Sequence, residues 1–123
     1  MSKISPPDVD EKLSNGEALF VLDVRPRQAY QRGHIEGSHN VPVYDDLRRG
    51  DVDALRDRLE EIPADVPVVT VCKAGVVARR ATATLEEEGY DATTLAGGMR
   101  GWNGYRNGTI GYRISSVLRR LVP

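Results

Sequence analysis

The hydrophobic positions of this chain fall into short blocks of two alternating kinds. Ala18-Leu19-Phe20-Val21-Leu22-Asp23-Val24 and Val66-Pro67-Val68-Val69-Thr70-Val71 are continuous apolar or β-branched runs. They are too short for ordinary helices and suit strands buried on both faces. Ala92-Thr93-Thr94-Leu95 reads as another short strand, and Asn40-Val41-Pro42-Val43 as one near a sheet end, where a proline is tolerated. Between these blocks the period changes. Val77, Ala81 and Leu85 recur at four-residue spacing, which predicts a helix from about Val76 to Glu88 stopped by Gly89. Leu47, Leu55, Leu59 and Ile62 follow a helical stripe interrupted near Gly50, and Pro26 to Arg32 reads as one or two helical turns stopped by Gly33. Gly97-Gly98 precedes a short helix carrying Met99 and Trp102, and Asp8 or Asp10 is placed to cap a short helix leading to Gly16. Strands separated by helices predict an α/β fold, a mostly parallel sheet with helices on both faces, whose ligand site lies beyond the carboxyl ends of the strands.

Composition narrows the partners. A chain of 123 residues suits one domain with one site, and a formal net charge of -1 argues against nucleic acid as the main partner. One cysteine cannot form an internal disulfide, and with only two histidines beside it, His34 and His39, there is no convincing soft-metal ligand set. No metal and no cofactor are expected. No apolar run approaches the length of a membrane span, and the first seven residues lack the apolar stretch of a secretory signal, so the cytoplasm is the expected location. Residues 1–108 are expected to form the domain, with residues 109–123 as an amphipathic tail. In that tail Ile114, Val117, Leu118 and Leu121 share one helical face. Packing of the stripe back on the domain of a monomer is the first expectation, with a homodimer contact through it or a weak surface helix on anionic membrane as alternatives for which the stretch is short.

The candidate chemistry centres on Cys72, which ends the second buried run and opens Lys73-Ala74-Gly75-Val76-Val77-Ala78-Arg79-Arg80. A thiol at a strand-to-helix junction can be ringed by backbone N–H groups, and the helix terminus behind them favours an anion. Successive amides from Lys73 to Ala78 would form such a concavity if the segment curls, and Gly75 would allow the curl. Lys73 is equally readable as an anion attractor or a solvated surface cation. Asp23 and Arg25, at the end of the first buried strand, are placed to brace the loops. His34 reads as fixing the Gly33 to Gly37 turn, His39 as superficial and Trp102 as a packing anchor. Gly97 and Gly98 would let their segment pass close to the Cys72 loop.

Four stretches, in order, carry a resemblance: Asp23-Val24-Arg25, His34-Ile35-Glu36-Gly37-Ser38-His39-Asn40-Val41-Pro42, Cys72-Lys73-Ala74-Gly75, and Gly97-Gly98-Met99-Arg100-Gly101-Trp102. The chain resembles the single-domain rhodaneses, sulfurtransferases that carry sulfane sulfur as a cysteine persulfide. The resemblance implies that Cys72 takes sulfur from thiosulfate or a persulfide donor and passes it to cyanide or a thiol. A protein as donor or acceptor is the alternative, in a relay or binding module of the same fold. Many rhodaneses have Cys-x-x-Gly-x-Arg-Ser, whereas this chain has Val77 and Ala78 in the last two places. Side-chain donors are therefore missing from the loop, and Arg79 or Arg80 is the remaining source of a positive field. Tyrosine phosphatases use Cys-x5-Arg, which would need an arginine at position 78. Ala78 stands there, so a phosphatase or an arsenate reductase is the most distant reading.

Overall fold

The computed structural model describes residues 2–108, so the tail expected at 109–123 lies outside the described residues. Five parallel strands build one sheet in the order β1-β5-β4-β2-β3: β1 Lys3–Ile4, β2 Phe20–Asp23, β3 His39–Asn40, β4 Val68–Val71 and β5 Ala92–Leu95. The helices are α1 Pro6–Ser14, α2 Arg27–Arg32, α3 Tyr44–Arg48, α4 Asp53–Arg56, α5 Ala78–Glu87 and α6 over residues 98–108, with a 3-10 turn at Leu59–Glu61. This is the expected α/β architecture. All pairings are parallel, so each connection must cross over the sheet, and the helices supply those crossovers.

Alternation along the strands sends side chains to two separate hydrophobic layers. Leu22, Val24 and Val68 meet Leu47, Leu55, Ala81 and Leu85 on one face. Val21, Val69 and Val71 meet Val9, Leu95, Met99 and Trp102 on the other. Each fully buried valine or leucine contributes about 1.5–3 kcal/mol, so the central pair β2 and β4 anchors the domain. Cys72 belongs to the first layer, which fixes its side chain to the same packing that holds α5. Polar side chains also cross the interior. The buried Thr82 hydroxyl lies 2.8 Å from that of Thr70 and 2.7 Å from that of Thr94, tying β4, α5 and β5 together.

Several boundaries differ from the sequence reading. The N-cap of α1 is Ser5, whose Oγ accepts from the Asp8 amide at 3.3 Å, and not Asp8 or Asp10. Prolines at the first two helical positions fix that start, because they need no amide partner there. Helix α5 begins at Ala78 rather than Val76, since residues 73–77 are spent on the loop. The strand expected over residues 40–43 is the pair His39–Asn40. Strand β1 went unread because two residues cannot show a period.

Candidate functional site

Strand β4 delivers Cys72 to the carboxyl edge of the sheet, with Asp23 of β2 in register beside Val71. The loop then turns back over the sulfur. Cys72 Sγ accepts hydrogen bonds from the Gly75 amide at 3.1 Å and from the Ala78 amide, at the start of α5, at 3.3 Å. Gly75 takes a φ of +85°, a region L side chains resist, and so permits the curl. Of the amides expected to surround the sulfur, these two reach it. Those of Lys73, Ala74, Val76 and Val77 donate to no acceptor among the described residues.

The loop is held from below by the start of α6. The Met99 amide donates to the Cys72 carbonyl at 2.8 Å and the Arg100 amide to the Lys73 carbonyl at 2.9 Å. Gly98, at φ +56°, makes that approach feasible. A Cβ there would overlap the Cys72 carbonyl oxygen and stand 2.7 Å from the Gly75 nitrogen. Gly97 lies against the same turn, and its nitrogen would be 3.0 Å from a Cβ on Gly75.

A second brace sits beside it. The Arg25 guanidinium donates to both carboxylate oxygens of Asp23, at 2.8–3.1 Å, and to the Gly33 carbonyl at 2.7 Å. Both side chains are nearly buried, so their charge is spent on one another and on positioning the β2–α2 connection. Asn40 completes the brace by donating to the carbonyls of Asp23 and Arg25, each at 2.9 Å.

The remaining candidates stand apart from the sulfur. His34 is exposed, stacks on Tyr30 with ring centroids 3.9 Å apart, and donates through Nδ1 to the Tyr30 carbonyl at 2.8 Å. It therefore holds the end of α2, while the turn after it is closed by the Ser38 amide on the Ile35 carbonyl and by the Tyr30 hydroxyl on the Ser38 carbonyl. His39 is more than superficial, since its Nε2 meets Glu61 Oε1 at 2.8 Å. Hydrogen bonds from Arg58 and then His39 hold the Glu61 carboxyl down at about 2. Trp102 is buried in the second hydrophobic layer. Arg80 gives its guanidinium to the carbonyls of Leu47 and Arg48 at the end of α3, which leaves a structural staple in place of a field at the sulfur. Arg79 is half-buried, and Val77 packs partly against the first layer.

Sequence reasoning missed Asn40, Tyr30, Thr70 and the Met99 and Arg100 amides as supports. Thr70 donates to the Ala78 carbonyl at 3.1 Å, so the residue whose amide serves the sulfur is anchored on both sides. Its only sequence signal was β-branching, and the other contacts are backbone groups that carry no residue signature. Chemically, two fixed amide dipoles and a helix start point partial positive charge at the Cys72 sulfur, and the one ionisable side chain of the loop, Lys73, is exposed. Among the described residues, no group of three or more His, Cys, Asp or Glu side chains is placed to hold a metal ion. No helix among them is long and apolar enough to cross a membrane.

Known proteins share this fold. A rhodanese-like domain from Staphylococcus aureus superposes with a TM-score of 0.70 at 25% identity, over 83% of this chain and 91% of that one. The maize adenylyltransferase and sulfurtransferase MOCS3-2 is 33% identical over 89 residues, 72% of this chain but 18% of the maize protein, so the chain spans under a fifth of that relative. The putative sulfurtransferase YtwF of Bacillus subtilis is 27% identical over 104 residues, which are 85% of this chain and 92% of YtwF. The Rhodanese-like domain family matches residues 5–105, and the chain belongs to that family.

Proposed function

We propose that the chain is a sulfurtransferase in which Cys72 receives sulfane sulfur, holds it as a persulfide and hands it to a nucleophilic acceptor. The observation that carries this reading is the Cys72 sulfur held at the end of β4 by the Gly75 and Ala78 amides. With thiosulfate as donor, the Cys72 thiolate forms a bond to the outer sulfur, the donor S–S bond breaks, and its electron pair leaves on sulfite. Cyanide or an acceptor thiolate then bonds to the outer sulfur of the persulfide, and the electron pair of the broken S–S bond returns to Cys72. Neither step needs a metal or an added oxidant. Amide donors suit both, because each passes through charge on the same sulfur.

The test is intact mass. Incubation with thiosulfate or an organic persulfide is expected to add the mass of one sulfur atom, which cyanide or excess thiol then removes. Cys72→Ala is expected to show no addition. Loading that persists in that variant, or none from any sulfane donor in the wild type, would overturn the reading. A relay between proteins, with slow turnover of small anions, is the second reading. Val77 and Ala78 favour it, since the loop offers no guanidinium or hydroxyl to a compact anion.

A further inference from the structure

Strand β4 places every second side chain on one face of the sheet, so Thr70 and Cys72 both point toward α5. They meet the same residue of that helix from opposite ends. The Ala78 amide donates to Cys72 Sγ at 3.3 Å, and the Ala78 carbonyl accepts from Thr70 Oγ1 at 3.1 Å. One backbone unit is therefore clamped between alternate side chains of a single strand. Ala78 is wholly buried and has no polar side chain to fix it, and no side chain caps the start of α5. The Thr70 hydroxyl stands where a cap would otherwise be needed to hold the first turn.

Thr70 is itself oriented. Thr94, its register partner on β5, has its hydroxyl 2.7 Å from that of Thr82, which lies 2.8 Å from that of Thr70. A hydroxyl has one proton to give. All three protons find acceptors in one order: Thr94 donates to Thr82, Thr82 to Thr70, and Thr70 to the Ala78 carbonyl. In the reverse order the Thr94 proton has no acceptor among the described residues. The other acceptor near Thr70 among them is the Thr93 carbonyl, farther off at 3.4 Å. All three threonines are at most 2% exposed, so water does not compete for these bonds. Resting on the reading of Cys72 as the sulfur carrier, we propose that Thr70 is a positioning residue: its hydroxyl, oriented by Thr82 and Thr94, holds the first turn of α5 so that the Ala78 amide stays aimed at the sulfur. Without that hydroxyl the uncapped turn frays, and the 3.3 Å contact, the longer of the two on Cys72, opens first. A thiolate loses a donor it uses well, whereas a thiol, a weak acceptor, loses little.

The chain has one cysteine, so the ultraviolet absorbance of thiolate followed against pH, with Cys72→Ala as the blank, reads this sulfur alone. At the pH where half the wild-type thiol is ionised, Thr70→Val is expected to hold about two- to fivefold less thiolate, the effect of weakening one ordinary hydrogen bond. Thr70→Ser keeps the hydroxyl and is expected to match the wild type. Thr84→Val is the control, because it removes another buried hydroxyl from α5, one that donates to the Arg80 carbonyl, and it is expected to leave the titration unchanged. An unchanged titration in Thr70→Val, or an equal loss in Thr84→Val, would overturn the proposal. Where Thr70→Val does not fold, Thr70→Ser against Thr70→Ala makes the same comparison, since both lack the methyl and one keeps the hydroxyl; equal thiolate in that pair would also overturn it. No sulfur donor enters these titrations, so they stand apart from the transfer chemistry. A thiolate deficit in Thr70→Val, in a protein whose wild type never loads sulfur, would sustain the positioning role and sink the sulfurtransferase reading.

Discussion

Gly98 and Gly16 show how differently two left-handed glycines can matter. Both have positive φ, +56° and +70°, but a Cβ on Gly16 meets nothing within 4 Å, whereas one on Gly98 runs into the backbone of the Cys72 loop. Gly16→Ala is therefore expected to cost only the backbone penalty, about 1–2 kcal/mol. Gly98→Ala adds a clash that backbone atoms cannot relieve by turning a rotamer, for a total of about 2–5 kcal/mol. It is also expected to abolish sulfur loading at temperatures where the variant remains folded, since the Met99 and Arg100 amides would be pushed off their carbonyls. Urea unfolding of both variants, with intact mass after thiosulfate, checks this. A Gly98→Ala protein as stable and as readily loaded as Gly16→Ala would show that the close approach is dispensable. The close approach of Gly97-Gly98 to the Cys72 loop was legible in the sequence from the Gly-Gly pair, whereas the carbonyl and amide that Gly98 touches there were not.

At the level of elements, β2, β4 and β5 were readable because continuous apolar or β-branched runs demand burial on both faces. Helix α5 was readable from its four-residue stripe. What the pattern could not show is how α5 is joined to the sheet. Thr70, Thr82 and Thr94 count as polar in any hydropathy reading, yet all three are buried and linked through their hydroxyls. Thr82→Val keeps the shape and removes the central hydroxyl, leaving the Thr94 hydroxyl without the partner it has here. The expected cost is about 1–3 kcal/mol for a buried group left unsatisfied. A double cycle with Thr94→Val is expected to recover much of that loss, and thermal unfolding of the three variants measures it. Additive losses would mean that the hydroxyl chain carries no coupling. Because Thr70 also holds the Ala78 carbonyl, this chain of hydroxyls stands directly behind the amide that serves Cys72.

Across the whole molecule, edge strand β3 is fastened to the Leu59–Glu61 turn by His39 and Glu61, with Arg58 on the same carboxylate. The Glu61 carboxyl, held at about 2 against an ordinary 4.5, favours the charged form in the folded chain. Its contribution is fully present above the ordinary value and is lost as the pH falls through about 2. Glu61→Gln is thus expected to lower the melting temperature at pH 7 by no more than about 5 °C, given that half-exposed ion pairs are weak. The gap to wild type should close as the buffer is taken from pH 4.5 toward 2. A gap independent of pH would assign the effect to packing. The α/β architecture and the place of Cys72 at a strand end were legible, because burial leaves a pattern and a lone cysteine is conspicuous, while the two-residue strand β1 was not. Of the supports around the sulfur, the Asp23–Arg25 brace and the approach of Gly97-Gly98 were legible, but the backbone amides and carbonyls brought together by the crossovers were not. One of them bears on how the protein is made. The carbonyls of Cys72 and Lys73 are secured by amides of residues 99 and 100. During synthesis the thiol therefore leaves the ribosome more than twenty residues ahead of the segment that shelters it. For that interval the nascent chain carries an ordinary, unguarded cysteine, and the site comes into being only when the start of α6 has emerged.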